Sequence, residues 1–189
     1  VDYAKPDKLL PLDKVVSIHA RVADALGYAH KQNVVHRDLK PGNVLRDRNQ
    51  QFYLGDFGIA KMLEQEGLTM PGTTIGTPEY MSPEQVLARP LTGQSDQYAL
   101  GILAYQLVTG TLPFQGQLMD VLQRHVAEPP VSPLKHNPGL PPAAAQAILK
   151  ALAKEPSERF PTATDFVEAL AACCESAPSG RLAVPPPPV

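Results

Sequence analysis

Residues 97–109 read QYALGILAYQLVT, and Leu100, Ile102, Leu103, Leu107 and Val108 leave almost no polar face if the segment is helical. A helix that is apolar nearly all round has to sit inside a core, with other elements wrapped about it. Ser95 and Asp96 suit the N-cap of this helix, and Gly110 suits its left-handed stop. The chain is therefore expected to build around one buried helix, from Gln97 to Thr109, rather than around a sheet.

The remaining periodicity supplies the wrapping. Val15, Ile18, Val22, Leu26 and Ala29 form one stripe of a helix predicted from Leu12 to Gln32, and Asn33 can end it with a left-handed residue. Further helices are expected over Gln117–Ala127, over the Ala-rich Pro142–Ala153, and over Pro161–Ala172, whose stripe is Phe166, Val167 and Leu170. Glu128–Pro133 is a Pro-rich connector. Asn43–Leu45 and Gln51–Leu54 read as two short strands around the turn signal Asp47-Arg48-Asn49. The expected fold is mainly α with a small β hairpin.

Composition excludes some roles. The chain has 189 residues, 43% of them hydrophobic, which suffices for one domain with a sizeable core. A net charge of −2 offers no general attraction to nucleic acid or to an anionic membrane. No apolar run reaches the length of a bilayer span, and no membrane span or signal peptide is expected within these residues. The two cysteines, Cys173 and Cys174, are adjacent, cannot make a disulfide framework, and read as packing residues in a reducing cytoplasm. The Gly-, Pro- and Thr-rich stretch Gly67–Pro83 is expected to be a mobile loop. Residues 173–189, with Pro185–Pro188, read as an extended linker, the alternative being a Pro-rich ligand for a partner domain.

One stretch resists a purely structural reading. VVHRDLKPGNVL, residues 34–45, sets His36, Arg37, Asp38, Lys40 and Asn43 between apolar neighbours. Taken with LGDFGIAK (54–61), GTPEYMSPEQ (76–85) and SDQYALGILAYQLVTGTLPF (95–114), it resembles the C-terminal lobe of eukaryotic-like protein kinases of the bacterial Ser/Thr type. These motifs come in the family's order with matching gaps, and together they are specific. The resemblance covers residues 1–172 and implies an α+β kinase fold lacking its N-lobe, with the C-lobe proper over residues 12–172.

The resemblance implies roles that the chemistry supports. Phosphoryl transfer to a hydroxyl needs a carboxylate aimed at that hydroxyl, cations on the moving group, and hard oxygen ligands for Mg²⁺. Asp38 would accept or orient the substrate proton, Lys40 would place its ammonium by the γ-phosphate of ATP, and Asn43 and Asp56 would be the metal ligands. Phe57 would anchor the Asp56 loop and Gly58 would give it a flexible joint. Leu45 would form the floor under the adenine. Lys40 and the Gly76-Thr77-Pro78 platform point to Ser or Thr acceptors on protein substrates, with Thr77 bonded to Asp38 and Lys40.

Arg37 before the catalytic Asp implies control by phosphorylation of the following loop, with Thr69, Thr73 and Thr74 as acceptors and the latter two favoured. His36 would pack under Phe57. Asp96, opening the central helix, would take backbone N–H groups of the catalytic loop, and Glu84 and Arg159 would form a buried ion pair. A membrane anchor downstream of the linker is a further implication.

The family's Gly-rich loop, strand Lys and helix Glu precede the catalytic loop, and residues 1–33 hold none of them. Residues 1–11 are expected to be the end of the helix after the hinge and its connection. The chain on its own is then expected to be a weak or silent kinase. A catalytically silent lobe that docks other proteins is the alternative, which the complete set Asp38, Asn43 and Asp56 disfavours.

Overall fold

A helix starts where a side chain can take up its free N–H groups, and for the central helix that residue is Thr92. The structure is a computed structural model that describes residues 9–57 and 77–175. Its helices are α1 (Leu12–Lys31), α2 (Pro83–Val86), α3 (Gly93–Thr109), α4 (Leu118–Ala127), α5 (Pro142–Ala151) and α6 (Ala163–Glu175). Strands β1 (Val44–Arg46) and β2 (Phe52–Leu54) pair antiparallel, with Val44 opposite Leu54 and Arg46 opposite Phe52. Short 3-10 turns at Pro41–Asn43, Pro78–Tyr80, Pro133–Lys135 and Pro156–Glu158 complete the described chain. The expected mainly α architecture with one small hairpin is what these elements form.

The central helix begins four residues before the predicted Gln97, at Gly93. Thr92 Oγ1 accepts from Gln94 N at 3.3 Å, and Ser95 Oγ accepts from Thr92 N at 3.2 Å. That reciprocal box places Ser95 in the first turn instead of at the cap. It also leaves Asp96 inside the helix, so Asp96 does not open it. Gly93 is required by a close approach: a Cβ there would meet His30 Nδ1 at 2.6 Å. At the other end Gly110 adopts φ 71°, the left-handed stop the sequence suggested. Along α3 every residue from Ser95 to Tyr105 is buried, as a helix apolar all round demands.

α1 lays its stripe of Val15, Ile18, Val22 and Leu26 against α3 and α6, and α5 closes the core on the far side. α1 ends through Asn33 at φ 59°. α6 starts after Pro161 because Thr162 and Asp165 cap it reciprocally, Thr162 N donating to Asp165 Oδ2 at 3.0 Å and Asp165 N to Thr162 Oγ1 at 3.1 Å. It runs on to Glu175, because buried Cys173 continues the stripe of Phe166 and Leu170. Residues 173–175 are therefore helix, not linker. Among the described residues no helix is long and apolar enough to cross a membrane.

One ion pair ties α2 to the turn before α6. Arg159 Nη1 and Nη2 donate to Glu84 Oε1 and Oε2 at 2.8 and 2.9 Å. The same guanidinium also donates to the carbonyls of Ala153, Gln94 and Lys154, so all its N–H groups are used. It lies 4.8 Å from the centre of the Tyr98 ring. Burial pushes the Glu84 carboxyl up, but the hydrogen bonds and charge of Arg159 outweigh it and hold the group below its usual range. Arg159→Met strands that carboxylate, and urea denaturation should register a loss of about 3–5 kcal/mol.

Two fully buried histidines make the fold acid-sensitive. His19 reaches Val15 O at 2.8 Å and Leu100 O at 3.2 Å, yet a neutral ring has one N–H for two carbonyls, and burial still pulls its pKa down to about 4. His125 accepts from Tyr98 OH at 3.0 Å through Nδ1, and burial, helped by the charge of Lys154, lowers it to about 4 as well. Both lie below the ordinary 6.5. As pH falls from 6.5 toward 4, the unfolded chain binds protons that the folded chain refuses, so stability present above 6.5 is lost over that window. The expected slope is at most about 1.4 kcal/mol per pH unit for each histidine. Urea midpoints across that range should fall; a flat profile contradicts the assignment.

Candidate active site

A left-handed residue rarely occurs without glycine, yet Arg37 and Asp56, both among the described residues of the candidate site, adopt that conformation. Arg37 sits at φ 68° and Asp56 at φ 51°. Each needs the surroundings to hold it. For Arg37 the holder is the central helix. Asp96, 2% exposed, accepts from His36 N through Oδ2 at 2.8 Å and from Arg37 N through Oδ1 at 2.9 Å. His30 Nε2 donates to the same Oδ2 at 2.7 Å. A buried carboxylate is stable only when hydrogen-bonded in this way, and charge strengthens each bond.

His36 joins the Asp38 loop to the Asp56 loop. Its Nε2 donates to Gly55 O at 3.0 Å, while Nδ1 accepts from Asp38 N at 3.3 Å, so one tautomer satisfies both contacts. Its ring lies 4.7 Å from that of Phe57. Asn43, next to the hairpin, adds a second tie: its backbone O accepts from Gly55 N at 2.8 Å. The loop carrying Asp38 is thus tied to the segment before Asp56 through both backbone groups of Gly55.

Around Asp38 the polar groups converge. Lys40 Nζ lies 2.8 Å from Asp38 Oδ2, with the two side chains 29% and 18% exposed. Asn43, 5% exposed, donates through Nδ2 to Asp38 O at 2.8 Å and to Asp38 Oδ2 at 3.2 Å. Its amide nitrogen is therefore committed to Asp38, and the carbonyl oxygen is the atom it can offer elsewhere. Asp56 is exposed and directly follows Gly55, which is bonded to both His36 and Asn43. Asn43 and Asp56 supply hard oxygen donors. Among the described residues no cluster of three or more His, Cys, Asp or Glu could hold a metal by itself. A donor pair of this kind fits Mg²⁺, which commonly takes one or two protein oxygens and fills its shell from phosphates and water.

Thr77 and Arg37 line a small cavity together with Asp38. The segment carrying Thr77 is fastened at Tyr80, whose hydroxyl donates to Gln106 Oε1 at 2.6 Å, and burial pushes that phenol up to about 12. Leu45 is 54% exposed on β1. Gly58, Thr69, Thr73 and Thr74 lie outside the described residues. Three contributors were not foreseen from sequence: His30, Gln85 and Gln106. Only Gln85 carried a readable signal, since Ser82-Pro83-Glu84-Gln85 has the spacing of a capping box.

Residues 1–183 match the family model described as "Protein kinase domain". The serine/threonine-protein kinase Pkn1 of Myxococcus xanthus is 45% identical over 162 residues, which cover 82% of this chain and 23% of that protein. PrkC of Bacillus subtilis, also a serine/threonine-protein kinase, is 37% identical over 154 residues, covering 81% of this chain and 24% of the relative. The chain spans about a quarter of the length of these curated relatives. Among solved structures, the kinase domain of PknI from Mycobacterium tuberculosis superposes with a TM-score of 0.69 at 30% identity, covering 87% of this chain and 57% of that one.

The geometry makes Asp96 the anchor of the loop. In Asp96→Ala, hydrogen exchange at the His36 and Arg37 amides should rise by about tenfold or more, as expected when a charged acceptor worth about 1.5–3 kcal/mol is removed. Unchanged exchange at both amides would remove Asp96 from this role.

Proposed function

Because this chain belongs to the protein kinase domain family, we propose that it forms the lower lobe of a Ser/Thr protein kinase, moving the γ-phosphoryl group of ATP onto protein hydroxyls. The observation that carries this reading is the convergence of Lys40 Nζ and Asn43 Nδ2 on one oxygen of Asp38. Asp38 accepts or orients the proton of the acceptor hydroxyl, and its rigid loop holds it in place for that task. Lys40, already beside Asp38, places positive charge where the transferred group must pass. Asn43 and Asp56 hold Mg²⁺ through oxygen. When bound, the metal supplies charge neutralisation and alignment of the phosphates. Thr77 borders the acceptor, and Leu45 lies under the nucleotide base.

The set covers the floor of a kinase site. The roof that clamps phosphates in the family is a Gly-rich loop with a strand Lys, and residues 9–57 and 77–175 do not provide it. Positioning catalysis loses much when half the positions are missing. The 189-residue chain alone is therefore assigned weak or no transfer.

The test is Mg²⁺-dependent phosphate transfer from ATP to a Ser/Thr acceptor by the full protein that the gene encodes. Asp38→Asn should lower kcat by about 10²–10⁴-fold, the usual worth of a positioned acid–base group. Wild-type transfer no higher than that of Asp38→Asn would reject the kinase reading.

A further inference from the structure

The peptide linking Arg37 to Asp38 sets the direction in which the Asp38 side chain leaves the backbone, and it is gripped at both ends. Its N–H, on Asp38, donates to His36 Nδ1 at 3.3 Å. Its carbonyl, on Arg37, accepts from Gln85 Nε2 at 2.8 Å. A flip of this peptide would change ψ of Arg37 and φ of Asp38, the soft dihedrals that aim the Asp38 side chain. That flip would swing Asp38 away, and the Gln85 bond opposes it directly.

Gln85 does two things with one amide. Its Oε1 accepts from Ser82 N at 2.9 Å, and Ser82 Oγ accepts from Gln85 N at 3.3 Å, which closes the capping box of α2. A Glu would serve that box as well as a Gln. It could not donate to the Arg37 carbonyl while ionised. The cap alone therefore does not account for an amide here, whereas the bond to Arg37 requires one. The same side chain also connects the Asp38 loop to the segment leading from Thr77 to Ser82.

We propose that Gln85 is a positioning residue for the transfer reaction: it fastens the Arg37–Asp38 peptide to the acceptor-side segment and so aims the Asp38 carboxylate. This rests on the reading of Asp38 given above. Gln85 acts through the backbone of its neighbour and touches no reacting atom.

The variant that separates the two jobs is Gln85→Glu, which keeps the cap and removes the donor. In the full protein, kcat should fall on the order of tenfold, as small misplacements of a reacting group do, with KM for ATP and the urea midpoint unchanged. The ratio of variant to wild-type kcat should climb as pH falls toward the carboxyl range, because the introduced carboxyl regains a donor once it is protonated. Ser82→Ala, which loses only the hydroxyl of the cap, should retain wild-type kcat. Hydrogen exchange over residues 36–38 should rise in Gln85→Glu, a readout that needs no turnover.

Wild-type kcat in Gln85→Glu, or unchanged exchange over residues 36–38, overturns the proposal while leaving the kinase reading intact. A kcat loss that follows a lowered urea midpoint and shows no recovery in acid overturns it too. Failure of the wild type to exceed Asp38→Asn removes the kinase reading, and this inference with it.

Discussion

The site depends on one buried carboxylate. Asp96 lies inside the central helix, and its two oxygens take the N–H groups of His36 and Arg37 and one N–H of His30. Burying a charge costs several kcal/mol unless hydrogen bonds replace the lost water. Here the replacements come from the loop that carries Asp38 and from the last turn of α1. Folding the core and shaping the loop are therefore one event. The helix cannot bury Asp96 favourably unless the loop supplies its donors, and the loop cannot hold a left-handed Arg37 unless Asp96 is there.

The other fastening works from the opposite side. Arg159 and Glu84 bind α2 to the turn that precedes α6, and Gln85, adjacent to Glu84, reaches the Arg37 carbonyl. Glu84 and Gln85 point their side chains to different partners, one into the core and one toward the loop. A buried ion pair is weak support for stability in itself. Its clearer consequence is registry: it sets where α2 sits, and α2 sets where Gln85 can reach. Rigidity thus passes from the turn before α6 to the Asp38 loop through the consecutive residues Glu84 and Gln85.

The helical framework was legible because apolar periodicity is a local signal. The all-apolar run of α3, the stripe of α1 and the glycine stop at Gly110 can be read without knowing any partner. Helix starts were less legible. The shift from Gln97 to Gly93 came from the reciprocal Thr92–Ser95 box and from a ring of α1 that tolerates only glycine, which is a tertiary fact. The extension of α6 to Glu175 came from Cys173 joining the core. The members of the candidate site were named from a motif resemblance, not from periodicity. Their partners were harder to foresee: Gln85 looks like a cap residue in sequence, and its bond to Arg37 crosses 48 residues of chain. His30 and Gln106 carry no local mark that predicts their contacts.

The central claim is that Asp38 faces the acceptor hydroxyl while Asn43 and Asp56 face the metal. The most direct measurement is a structure of the full protein with Mg²⁺, a non-hydrolysable ATP analogue and a Ser-containing acceptor peptide. The account predicts the Ser hydroxyl within about 3 Å of the Asp38 carboxylate. It also predicts the ion on oxygens of Asn43 and Asp56 at about 2.1 Å. A hydroxyl out of reach of Asp38, or an ion coordinated by neither residue, would contradict it.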